Sequence, residues 1–224
     1  MITQLLVLAR CVGFVFRAPG FSHPSVPAPL RAGFALLLAM AVAPGVPAAV
    51  PDRAGAALAV ALAGEFLIGG ALGMAASLLY DAAYAGGRVV DDYVGVRAIA
   101  PSQQLVAPSG FGRVWSLALT GAFFLTGAYR LTLAGFAQSF ARMPPGSALD
   151  PPAWGAFVAH FATAFADVAL QLAAPAIGLA FVVQIALGAL SRVVPRFGSF
   201  TLAFPLAFAA AIVMTALAVP DAVR

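Results

Sequence analysis

Lysine is missing from this 224-residue chain, cysteine and glutamate occur once each, and histidine occurs twice. One cysteine, Cys11, excludes an intrachain disulfide and a thiolate metal cluster, so it reads as a small packing residue. His23 and His160 lie in distant segments with no HExxH and no cysteine beside them, which leaves zinc chemistry without ligands. Without lysine, the sequence GGRVV at positions 86–90 lacks both the residue and the spacing of a phosphate-binding loop. Charge is scarce altogether. Charged residues make up 9% of the chain, against roughly 25% in soluble domains. The twelve basic residues are all arginine, which a GC-rich genome explains as well as any need for bidentate contacts. They form no run and no helix face, so the net charge of +4 does not point to nucleic acid. An intramembrane aspartyl protease needs two carboxylates sharing a proton. Tyr80 and Asp81 form a YD pair, and Asp91, Asp92 or Asp167 could supply a second acid, but the companion GxGD motif is absent.

What is present is apolar: 62% hydrophobic residues and a mean hydropathy of +0.99. At about 20 apolar residues per crossing, the chain has room for about five to six helices. The expected fold is therefore an all-α polytopic membrane protein forming one bundle. The first helix is expected over Ile2 to Phe16. Arg10 interrupts its apolar run and no small-residue cleavage site follows, so it reads as retained rather than as a signal peptide. Ala32 to Val50 is a second apolar segment, broken near its end by Pro44, Gly45 and Pro47.

Ala54 to Tyr80 contains Glu65, which costs about 2.5–3.5 kcal/mol near the middle of a membrane helix and so must face protein or water. Gly69 and Gly73 beside it form a GxxxG match that lets another helix approach. Glu65 has two readings, a structural hydrogen bond across that interface or a functional charge.

From Gly86 to Arg113 the oily pattern is interrupted by Arg88, Asp91, Asp92, Arg97 and Arg113, with five glycines and two prolines. A continuous buried helix is not expected there. Its middle retains Ile99, Leu105, Val106 and Phe111, too apolar for a linker in water, while lipid would leave its backbone unpaired. The remaining place for such a loop is inside protein, lining or blocking a cavity. Val114 to Phe140 is expected as one helix, with Trp115 at an interface and Arg130 well inside, stopped by Pro144, Pro145 and Gly146. Ala153 to Leu190 divides at Pro175 into an amphipathic approach and a second helix. A basic turn of Arg192, Pro195 and Arg196 then leads to a last helix, Phe197 to Val219, making a C-terminal hairpin. A secondary transporter also fits interrupted helices with Glu65, Arg130 and Asp167 as buried charges. It would require Glu65 and Asp167 to face one aqueous cavity.

Four stretches in order resemble the FliR/SctT family of export-gate subunits in bacterial flagellar and type III secretion systems. They are RCVGFVFRAPGFSHPSVPAPLRAGFALLLAMAVAP, GEFLIGGALGMAASLLYDAAYAGGRVVDDYVG, FFLTGAYRLTLAGFAQSFARMPPG and LSRVVPRFGSFTLAFPL. The resemblance implies a non-catalytic role without a cofactor or metal, in which one copy joins FliP-like and FliQ-like subunits around a pore for unfolded substrates. FlhB-like and FlhA-like proteins are further implied partners, and the bacterial inner membrane at the flagellar basal body is the implied location. The same role in an injectisome is the alternative. Residues 1–150 correspond to a FliP-like part and 153–219 to a FliQ-like hairpin. The family's pore plug corresponds to positions 95–111, which puts Ala98, Ile99, Ala100, Pro101, Ser102, Gln103 and Gln104 in it, followed by Leu105, Val106, Ala107, Pro108, Ser109 and Gly110. This loop lacks the family's usual aspartate before the first proline. Glu65, Arg130 and Asp167 become candidates for intersubunit pairing.

Overall fold

A computed structural model describes residues 2–22, 26–46, 55–94, 110–147, 150–193, 206 and 209–213. Among the described residues six long α-helices carry the fold: α1 (Ile2–Arg17), α2 (Ala28–Val42), α3 (Ala56–Val94), α4 (Gly110–Leu125), α5 (Ala128–Arg142) and α6 (Pro151–Ser191); residues 209–213 are helical as well. There is no strand among the described residues. Ala28–Gly45, α3 and α6 are long and apolar enough to cross a membrane, and α4 with α5 makes a fourth if the broken pair counts as one span. The fold is all-α and polytopic, as expected, but with fewer full spans than helices. At about 1.5 Å per residue, α3 and α6 reach roughly 60 Å, twice the ~30 Å hydrocarbon core, so each extends beyond it.

The chain divides into two compact units, Met1–Leu78 with Phe123–Ala162, and Leu79–Ala122 with Thr163–Arg224. In the first, the apolar residues of α1 recur at helical spacing, and Val7, Cys11, Phe14, Val15 and Ala18 make one buried stripe. They pack on Ala35 and Ala39 of α2 and on Phe136 and Phe140 of α5. Phe14 stacks on Phe136 with centroids 4.3 Å apart, and Phe21 stacks on Phe34 at 4.2 Å. Cys11 is a buried packing residue, as its setting in the sequence suggests.

Several expected boundaries fall elsewhere, and the second helix, expected from Ala32, already begins at Ala28. The interruption starting at Gly86 does not break α3, which continues to Val94. Its glycines are packing residues there: a Cβ on Gly86 would meet the Ala169 carbonyl, and one on Gly87 the backbone of Gly112. Helix α4 begins at Gly110, and the helix expected over Val114 to Phe140 stops at Leu125 and restarts at Ala128. Gly127 sits in the break with φ +76, a left-handed conformation that glycine adopts without a Cβ penalty. Trp115 is buried, edge-on to Phe111. Conversely, Pro175 lies inside the unbroken α6. A proline removes one N–H and leaves one carbonyl, here that of Gln171, without its donor. The surrounding alanines favour helix, Ala173 and Ala176 are packed, and helices in apolar surroundings tolerate such a defect.

Many large apolar side chains remain on the outside, among them Leu30, Leu37, Met40 and Val60 in the first unit and Leu170, Val182 and Ile185 in the second. Apolar surface on this scale is covered by lipid or neighbouring chains.

Candidate functional site

The first unit holds an enclosed ion pair. Arg10 on α1 is 0% exposed and Glu65 on α3 is 1% exposed, with Arg10 Nε donating to Glu65 Oε2 at 2.6 Å. Two cations or anions buried singly would be severely penalised; paired and fully hydrogen-bonded, they are tolerated. The remaining donors of Arg10 reach Ser139 Oγ at 3.4 Å and the Met143 carbonyl at 2.9 Å, and its guanidinium lies 4.3 Å from the Phe140 ring centroid. Glu65 Oε1 accepts from the Gly146 N–H at 2.7 Å. Gly146 has φ +82, so the turn that presents this N–H uses glycine's freedom. One polar knot thus ties α1, α3, the end of α5 and the Pro-Pro-Gly turn.

Helix spacing explains how the pair meets. Glu65, Gly69 and Gly73 follow one another at four-residue intervals and share a face of α3. A Cβ on Gly69 would collide with the Arg10 carbonyl, and one on Gly73 would lie 2.6 Å from the Phe14 carbonyl. On α1, a Cβ on Gly13 would likewise collide with the Phe66 carbonyl. The expected GxxxG motif is therefore the bed on which α1 lies, backbone against backbone. That contact brings Arg10 within reach of Glu65.

Glu65 and Arg130, both in the first unit, do not pair with each other. Glu65 is buried, but its partner is Arg10, which the sequence marked only as an interruption of the first apolar run. Arg130 and Asp167 are exposed rather than buried, and Arg130 lies beside the Tyr129 ring at 5.7 Å. Both oxygens of Glu65 are engaged inside the protein, which does not meet the transporter's requirement of an acid facing water.

In the second unit, Asp91 is also fully enclosed. Its Oδ1 accepts from the Phe111 N–H at 2.9 Å, and Oδ2 makes a longer 3.5 Å contact with the Gly112 N–H. A carboxylate at the start of α4 satisfies N–H groups that have no partner within the helix and complements its positive end. Asp91 thereby fastens α4 to α3. Asp91→Ala is expected to cost about 1–2 kcal/mol and Asp91→Asn less, since the amide keeps one acceptor; thermal unfolding in detergent checks the order.

Of the plug candidates, Ala98, Ile99, Ala100, Pro101, Ser102, Gln103, Gln104, Leu105, Val106, Ala107, Pro108 and Ser109 lie outside the described residues. Gly110 is described and opens α4 instead of belonging to a loop. In the basic turn, Arg192 directly follows α6, while Pro195 and Arg196 lie outside the described residues. No group of three or more potential metal ligands occurs among the described residues.

Comparison with known proteins agrees with the four resembling stretches. The chain is 30% identical over 220 residues to the flagellar biosynthetic protein FliR of Bacillus subtilis, covering 94% of this chain and 83% of that one. It is 28% identical over 218 residues to FliR of Escherichia coli K12, covering 95% and 82%. It is also 27% identical over 206 residues to FliR of Caulobacter vibrioides, covering 90% and 82%. The model of the family described as bacterial export proteins, family 1, matches residues 1–224 from end to end, and the chain belongs to that family.

Proposed function

We propose that this chain is a membrane-embedded, non-catalytic subunit of the flagellar protein export gate, shaping the passage for unfolded flagellar proteins. The whole-length family match and the FliR relatives carry this reading. The apolar residues left uncovered on α2, α3 and α6 support it, because a subunit surrounded by other apolar subunits needs them. FliP-like and FliQ-like subunits are the proposed neighbours, with residues 1–150 and 153–219 as the parts that resemble each. FlhB-like and FlhA-like proteins complete the apparatus, in the bacterial inner membrane at the base of the flagellum. Arg130 and Asp167, exposed in the single chain, are available for pairing with those neighbours.

The segment from Ala98 to Ser109 is the proposed plug. Its glutamines keep it compatible with an aqueous passage, and Leu105 and Val106 give it apolar tips. Deletion of Ser102 to Ala107 is expected to raise small-solute leakage through the assembled gate. An unchanged leak in a fully assembled gate would place the occlusion elsewhere.

A further inference from the structure

We infer that seating of α1 is conditional on the turn after α5, and that the charges of Arg10 and Glu65 impose the condition. Helix α1 has 16 residues, ends in Arg17 and carries Arg10 in its middle, so it is shorter and more polar than an independent span requires. Its bed on α3 is lined by Gly69 and Gly73 and is open to a preformed helix. If α1 lay on α3 alone, however, only Arg10 Nε would have its partner. The other two guanidinium nitrogens need Ser139 and the Met143 carbonyl, and the second oxygen of Glu65 needs the Gly146 N–H. Displacing the turn alone removes the Met143 and Gly146 bonds, two of the four, and an enclosed pair left in that state is worse than no pair, because desolvation is not offset. The turn at 143–146 therefore acts as a lock. Once it is formed, the knot closes and α1 is held; while it is displaced, the charges favour water and α1 stays loose.

Cys11 reports the seated state without engineering, since it is the one cysteine of the chain, adjoins Arg10 and is fully buried when α1 is docked. The test is the rate of N-ethylmaleimide labelling of Cys11 in the full-length chain in native membranes. Glu65→Leu and Gly146→Val are each expected to label about tenfold faster than the unaltered chain, as a local opening would. Arg10→Met/Glu65→Leu, an apolar pair with no charge to satisfy, is expected to label several-fold more slowly than Glu65→Leu. The deciding variant adds Gly146→Val to that pair. Labelling of this triple variant at the rate of the double variant shows that the turn acts through the charges. Faster labelling would mean that Gly146 merely supports the fold, and slow labelling of Glu65→Leu alone would equally overturn the inference.

Discussion

Glu65→Ala is expected to be among the most damaging single substitutions in the described fold. It leaves the Arg10 guanidinium enclosed with no counter-charge and frees the Gly146 N–H of its acceptor. Breaking one partner of a buried pair costs about 3–5 kcal/mol, a large share of the ~5–15 kcal/mol that holds a typical domain together. The variant should therefore fall sharply in membrane abundance and melt early in detergent. Arg10→Met/Glu65→Leu should recover much of the loss, because apolar replacement of both charges removes the desolvation cost as well as the attraction. It will not recover all, since the buried Gly146 N–H stays without its acceptor, at about 1–3 kcal/mol. A double variant whose loss equals the sum of the two single ones would show that the residues do not act as a pair.

Gly69→Leu is the second large effect, and it separates shape from charge. The first atom of the new side chain would collide with the Arg10 carbonyl oxygen, and neither backbone can yield without moving a whole helix. Overpacking of this kind costs about 1–3 kcal/mol and more where the obstacle is main chain. Here it also lifts Arg10 away from Glu65. The adjacent glycine is the control: at Gly70 an added Cβ meets nothing nearer than the Gly13 carbonyl at 3.9 Å. Gly70→Ala should be neutral or stabilise α3 by up to about 1 kcal/mol, because alanine is the better helix former. Equal melting temperatures for Gly69→Leu and Gly70→Ala would disprove the backbone-to-backbone packing of α1 on α3.

Much of this was legible in the sequence because membrane-scale hydropathy and helix punctuation are local signals. The stop at Pro144 and Pro145, the GxxxG contact and the need of Glu65 for a partner were all readable. The identity of that partner was not, because Arg10 lies 55 positions away and spacing is silent at that range. The signal existed in two halves, one cation and one anion each interrupting an apolar helix, with glycines one and two turns beyond the anion. Glycine was misread at Gly86 and Gly87, where propensity suggested a break and close packing kept the helix. Proline was misread at Pro175 for the same reason, a local cost overridden by tertiary contacts. Asp91 was counted among the polar interruptions, while its buried carboxylate holds the start of α4. Arg130 was placed well inside one long helix; it stands two residues into the second of two, which begins at Ala128, and is exposed on the single chain.

The most direct test of the gate assignment is the composition of the complex recovered when this chain is tagged at its natural level and extracted in mild detergent from its own membranes. The expected result is a stable assembly in which single copies of the chain accompany several copies of small FliP-like and FliQ-like membrane proteins. Recovery of the chain alone, as a well-behaved monomer in the same detergent that preserves other gate subunits, would contradict it.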